Sequence, residues 1–295
     1  NHGRLGKTLK VAENSPAGKT ENAKIKVIST FNGEDEAKYV VEEISNLCRR
    51  GFEYSQMAVL VRTAAQTREF EEKFMSETIP YQVIGGLKFY ERAEIRDALA
   101  YLRVILQPHD DLALERIINK PARGIGAKSV EKFATEARLR RCSLYDAIEQ
   151  MLAEGLISGK AKNAISELFA NFASWRKMLL AETPDEIVSA VLEDSGYLEM
   201  LRMDKSVEAP GRIENLKELV NVISDADKYQ TLADFMEHVS LVMDNDDVSI
   251  DNKVRLITLH SAKGLEFEVV FLPGWEEGTF PHQRSLDEGG SEALE

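Results

Sequence analysis

Cysteine is scarce in this chain. Cys48 and Cys142 are the only two in 295 residues, too few and too far apart for a disulfide framework or a zinc ribbon. Long apolar runs are missing too: none approaches the ~20 residues of a membrane-spanning helix, and no signal-peptide pattern opens the chain. The five histidines, His2, His109, His238, His260 and His282, include no pair at i, i+4, which excludes a zinc-protease helix. No Gly-x-Ser-x-Gly elbow is present for acyl transfer. A phosphate loop is also absent. Gly3-Arg4-Leu5-Gly6-Lys7-Thr8 falls two residues short of Gly-x-x-x-x-Gly-Lys-[Ser/Thr], and no apolar strand leads into it. Basic residues are outnumbered, 37 Lys and Arg against 50 Asp and Glu, for a net charge of −13. That balance rules out a uniformly basic nucleic-acid coat and leaves room for a local basic patch. A soluble, cytoplasmic protein without a metal centre is expected.

What is present has a globular balance, 43% hydrophobic and 29% charged, at a length that suits about two domains. Ile25 and Val27 alternate with polar neighbours over 24–30 and predict a strand before the turn at Asn32-Gly33. Ala37, Val40, Val41, Ile44 and Leu47 then fall at helical spacing, Met57–Val61 reads as a buried strand, Thr67–Ser76 as a helix and Tyr81–Ile84 as a strand. This alternation predicts an α/β unit with a mostly parallel sheet. After Gly85-Gly86 the helical period dominates to about His238. An acidic loop at 244–251 follows, and short β-rich runs return at Val254–Leu259 and Val269–Leu272. Too few strands stand at either end for two separate sheets. One α/β domain, 1–84 with 251–295, interrupted by an all-α insertion at 85–250, is therefore expected.

The most informative stretch is Val254–His282. A buried strand ends at His260 and runs into Ser261-Ala262-Lys263-Gly264, where the carboxyl end of a strand should hold a ligand. Gly264 lets backbone approach a phosphate or sugar, Lys263 supplies a point charge for phosphate, and Glu266 is an acceptor suited to ribose hydroxyls. Taken alone, His260 reads as a satisfied strand-end histidine. Trp175 and Trp275 read as packing residues, and Cys48 as a small apolar one near a helix end.

Leu259-His260-Ser261-Ala262-Lys263-Gly264-Leu265-Glu266-Phe267, followed by Glu276-Glu277-Gly278 and Phe280-Pro281, resembles motif V and its downstream segment in UvrD/PcrA/Rep-type superfamily 1 DNA helicases. The resemblance spans nearly the whole chain. It implies contacts to single-stranded DNA from His260, Lys263, Phe280 and His282, and faces toward ATP for Gly264 and Glu266. Val59-Leu60-Val61-Arg62-Thr63 resembles the family's strand-plus-loop on the same sheet, which implies DNA-backbone contacts from Arg62 and Thr63. Ala64 stands where many members carry Asn, so one such hydrogen bond is missing. Gly85–Arg92 and Arg212–Leu216 also match family signatures and read as structural, marking the entrance and a late helix of the inserted 2B subdomain.

A second element is Pro121-Ala122-Arg123-Gly124-Ile125-Gly126-Ala127-Lys128-Ser129 between two helical stretches, the pattern of a helix-hairpin-helix. Its glycines turn the backbone, Ile125 anchors the turn inward, and the helix beginning near Lys128 and Ser129 offers free N–H groups to a phosphate without reading bases. From Arg116 to Arg141 there are eight basic and two acidic residues, a local excess of +6. A solvated helix face could produce the same run.

The resemblance implies a parent that is an ATP-dependent 3′→5′ DNA helicase of repair or replication, using ATP and Mg²⁺ between two RecA-like domains. Its partners would be DNA, the first RecA-like domain and repair proteins, with no membrane. The competing reading is a non-enzymatic duplex-binding or regulatory module acting through Gly124, Ile125, Gly126, Lys128 and Ser129. The phosphate loop and acidic metal pair of the first domain are not in the sequence, nor is the arginine-bearing motif VI. The chain taken alone is therefore expected to hydrolyse no ATP. A phosphate-release assay checks this, and turnover above buffer that is abolished by a substitution within the chain would overturn it.

Overall fold

A computed structural model describes residues 25–225, 228–244 and 251–276. Four short strands, β1 (Met57–Val61), β2 (Tyr81–Ile84), β3 (Val254–Thr258) and β4 (Val269–Phe271), form one parallel sheet in the order β2-β3-β1-β4. Both neighbours of β3 come from the first third of the chain, so the sheet closes only when distant parts of the sequence meet. Its register aligns Val61 with Thr258 and Ile84 with Ile257, bringing three strand ends to one edge. In β1, Met57, Ala58, Val59 and Val61 are fully buried, as expected of a parallel strand covered on both faces. Two helices flank β1 in sequence, α1 (Gly33–Arg49) and α2 (Thr67–Ser76). The Asn32 side chain accepts the Asp35 N–H at 2.8 Å to cap α1, with Glu34, Asp35 and Glu36 in its positive first turn. Val40, Val41 and Ile44 of α1, Phe70 and Phe74 of α2, and the sheet share one apolar cluster.

The strand expected over 24–30 does not form. Residues 25–30 have no regular structure, and Ile25 and Val27 are 92% and 89% exposed. Alternation describes a strand only when a neighbour completes the ladder, and no described residue pairs with this stretch.

Among the described residues the chain between β2 and β3 is helical: α3 (Ala93–Leu106), α4 (Asp111–Ile117), α5 (Ala127–Arg140), α6 (Leu144–Ala153), α7 (Gly159–Met178), α8 (Pro184–Asp194), α9 (Tyr197–Met203), α10 (Ala209–Ile223) and α11 (Leu232–Asp244). They enclose a second apolar cluster. Its aromatic centre has Phe172 edge-on to Trp175 at 5.5 Å and Tyr145 stacked on Phe169 at 4.4 Å. Arg176 lies over the Tyr145 ring and donates to the carbonyls of Val104 and Ile105, satisfying the last turn of α3. Trp175 packs as expected and donates to Asp194 Oδ2 at 3.1 Å, whereas Trp275 is 64% exposed and is not a core residue. Cys48 is half-buried beside Tyr54, and burial raises its thiol pKa.

The two clusters meet at a buried polar junction. Arg92 donates from Nη1 to Asn215 Oδ1 (2.8 Å) and from Nη2 to the Ala64 carbonyl (2.9 Å) and Thr67 Oγ1 (2.7 Å). The Thr67 hydroxyl donates to Glu71 Oε1, whose carboxylate accepts the Phe89 N–H, and Asn215 Nδ2 donates to Glu94 Oε1. Nearby, Arg68 bridges Glu72 and Glu218 at 2.9 and 2.7 Å. Burial raises the pKa of Glu71 and lowers that of Arg92, opposed in both by their 3.9 Å approach. Replacing Arg92 with Leu leaves Glu71 and Asn215 without their cation. The expected loss is about 3–5 kcal/mol in chemical denaturation. Arg92→Lys should recover only part of it, because an ammonium cannot match the planar fork.

Candidate nucleic-acid interface

The carboxyl edge of the sheet carries the first set of candidate residues. Because β1 and β3 are parallel neighbours, Arg62 and His260 emerge side by side, although they are 198 positions apart. Arg62 Nη1 lies 3.2 Å from His260 Nδ1. An arginine can only donate, so this contact is a hydrogen bond with His260 Nδ1 as the acceptor. The turn after β3 closes through the Leu259 N–H on the Val61 carbonyl (2.8 Å) and the Ser261 N–H on the Thr258 carbonyl (2.9 Å). Lys263, Gly264 and Glu266 are exposed on that turn, and Gly264 has φ +90°. None of the three has an ion pair or side-chain hydrogen bond among the described residues. Thr63 is half-buried beside Arg62. Phe280 and His282 lie outside the described residues.

Gln66 belongs to this site and was missed by sequence reasoning. Its Oε1 accepts the N–H groups of both Arg62 and Thr63 at 2.9 Å, holding the loop between β1 and α2 in shape. A glutamine just before a helix is a weak signal, and only the folded loop reveals what it holds. Gly85, after β2, has φ +79°, and a Cβ there would come within 3.0 Å of Ser261 Oγ. Glycine is thus required where the β2 turn touches the β3 turn.

A second set lies on the turn between α4 and α5. Gly124 takes φ +73°, Ile125 is buried, and Gly126 caps α5. Gly124, Gly126 and Lys128 are exposed, and Ser129 is half-buried. The basic excess around this turn is smaller than the sequence count suggests. Arg116 and Lys120 pair with buried Asp97 at 2.6 and 3.1 Å, and Arg140 pairs with Glu136 and Glu154. Arg123 is held by protein acceptors. Lys128, Lys132, Arg138 and Arg141 are exposed, with no ion pair among the described residues.

A parallel α/β sheet with cationic side chains at its carboxyl edge and a large helical block defines a broad class of nucleotide-driven and nucleic-acid-binding proteins. Comparison narrows it: the chain belongs to the UvrD-like helicase C-terminal domain family, whose profile matches residues 4–294. It is 47% identical over its whole length to a "Probable DNA helicase II homolog" of Rickettsia felis, covering 44% of that protein. It is also 47% identical to the DNA helicase II of Rickettsia typhi, over 92% of this chain and 41% of the relative. To the ATP-dependent DNA helicase PcrA of Staphylococcus epidermidis it is 44% identical, over 89% of this chain and 37% of the relative. The chain thus spans less than half the length of these curated relatives.

Gln66→Leu keeps the side chain's size and leaves the Arg62 and Thr63 amides without an acceptor. The expected local cost is about 1–2 kcal/mol, read as roughly 5- to 30-fold faster hydrogen exchange at these two amides.

Proposed function

We propose that this chain is part of an ATP-dependent DNA helicase that translocates 3′→5′ on single-stranded DNA and unwinds duplex in repair or replication in the cytoplasm. In this reading residues 1–84 and 251–295 form the second RecA-like lobe, and residues 85–250 form the helical 2B insertion with its helix-hairpin-helix. The two separate apolar clusters support that division. The observation that carries the proposal is the 3.2 Å pairing of Arg62 with His260 at the carboxyl edge of adjacent parallel strands, next to exposed Lys263. Donors spread along an open edge suit a run of phosphates better than one compact anion, and they give the affinity a strong salt dependence. Thr63 extends this row, and Phe280 and His282 are further single-strand contacts in this reading.

Gly264 and Glu266 fit one side of a nucleotide site. The positive-φ turn at Gly264 allows close approach, and the exposed Glu266 carboxylate is available to ribose hydroxyls. Gly264 and Glu266 would hold one side of ATP, which with Mg²⁺ would supply phosphoryl-transfer chemistry in the whole protein. This chain contributes no metal ligand in the proposal and hydrolyses nothing by itself.

A second reading is favoured by the exposed glycines and Lys128 at the start of α5: a duplex-backbone module in which Gly124, Ile125, Gly126, Lys128 and Ser129 present amides and charge to phosphates. The readings agree for the whole protein and differ in where this chain holds DNA. Binding of Lys263→Ala and Gly124→Pro to single-stranded and duplex DNA across salt separates them. Lys263→Ala should weaken single-strand binding and lower the salt slope by about one. Gly124→Pro should weaken duplex binding alone. If only Gly124→Pro has an effect, the module reading describes this chain; if neither does, DNA binding by the chain is refuted.

A further inference from the structure

Arg123 stands in the middle of the hairpin and is one of the eight basic residues counted there, yet its guanidinium is committed to protein acceptors. Nη1 donates to the carbonyls of Ile117 (3.0 Å) and Lys120 (2.9 Å), and Nη2 to Tyr101 Oη (2.7 Å) and the Ser195 carbonyl (3.1 Å). These acceptors lie on three separate elements: the end of α4 with the hairpin itself, α3, and the turn between α8 and α9. Asn119 acts from the other side. Its Oδ1 accepts the Arg123 N–H (2.8 Å) and the Ile125 N–H (3.1 Å), so the amides on either side of Gly124 are tied to one oxygen. The N–H groups of Gly124, Ala127 and Lys128 have no acceptor among the described residues, whereas those of Ser129 and Val130 donate to the Gly126 carbonyl at 2.9 and 3.2 Å.

We propose that Arg123 is a positioning residue, one that shapes the hairpin and fastens it to the α8–α9 turn while itself meeting no DNA. The inference rests on the duplex-backbone reading of this hairpin. The physical reason is the fork: four hydrogen bonds in fixed planar directions select one hairpin shape, and neither a lysine ammonium nor a neutral amide can reproduce them. Misplacing neutral amides removes contacts without changing how many cations the DNA meets, so affinity and salt slope should separate.

The test measures Arg123→Gln, Arg123→Lys and Lys128→Ala in the full chain, by duplex and single-strand affinity across salt and by hydrogen exchange at the bonded amides of Ile125 and Ser129. Both Arg123 variants should bind duplex roughly tenfold more weakly. Their salt slope and single-strand affinity should match the unsubstituted chain, and the hydrogen-bonded amides of Ile125 and Ser129 should exchange faster. Lys128→Ala should lower the slope by about one with unchanged exchange. Arg123→Lys binding duplex normally, or either Arg123 variant lowering the slope, would mean that the charge meets phosphate and would overturn the proposal. Unchanged exchange at Ile125 and Ser129 in both variants would overturn it too. A general loss of fold shows as faster exchange across α7 as well; if Arg123→Gln does this, Arg123→Lys alone decides. If Lys128→Ala and Gly124→Pro both leave duplex affinity unchanged, the duplex reading fails instead, whatever the Arg123 variants show.

Discussion

A guanidinium taken out of water is tolerated only where its donors find acceptors in the right plane, and Arg92 finds them on both sides of the boundary between sheet and helices. The Ala64 carbonyl belongs to the segment between β1 and α2, Thr67 is the first residue of α2, and Asn215 belongs to α10. Glu71 holds Thr67 and the Phe89 amide, so the α2 side of the network also sets where the chain leaves the sheet for the helical block. Apolar packing makes each cluster stable but is not directional. The polar fork is, and it gives the two clusters one defined relation at this seam.

The candidate interface depends on the same geometry. Arg62 and His260 meet because β3 is inserted between β1 and β2, and that order holds only while the helical block returns the chain to the sheet. The loop carrying Arg62 starts at the end of β1 and runs through Ala64 to Thr67, where Arg92 grips it. Gln66 sets the near half of this loop and Arg92 the far half. In a chain with a net charge of −13, the edge places Arg62 and exposed Lys263 near one another.

Charge counting shows where sequence reasoning overreaches. Eight basic residues between Arg116 and Arg141 suggest a broad cationic face. Buried Asp97 takes up two of them, Glu136 and Glu154 take a third, and hairpin carbonyls hold Arg123. The acidic partners lie partly outside the counted window, so a linear count misses the neutralisation. The remaining exposed cations are all on or beside α5.

Local pattern alone was enough to locate most elements. The apolar run of Met57–Val61, the helical spacing of α1 and α2, and the Gly-Ile-Gly turn are dictated by side-chain periodicity and backbone freedom within a few residues, whereas the roles of the motif residues around His260 came from the family resemblance. The failures have a common cause. Whether residues 25–30 become a strand depends on a neighbour, whether Trp275 packs depends on what covers it, and whether Arg123 is free depends on Tyr101 and Ser195. The pairing of Arg62 with His260, the role of Gln66 and the meeting of Arg92 with Asn215 belong to tertiary structure alone. Each needs groups far apart in sequence to come within about 3 Å, the range at which a hydrogen bond forms.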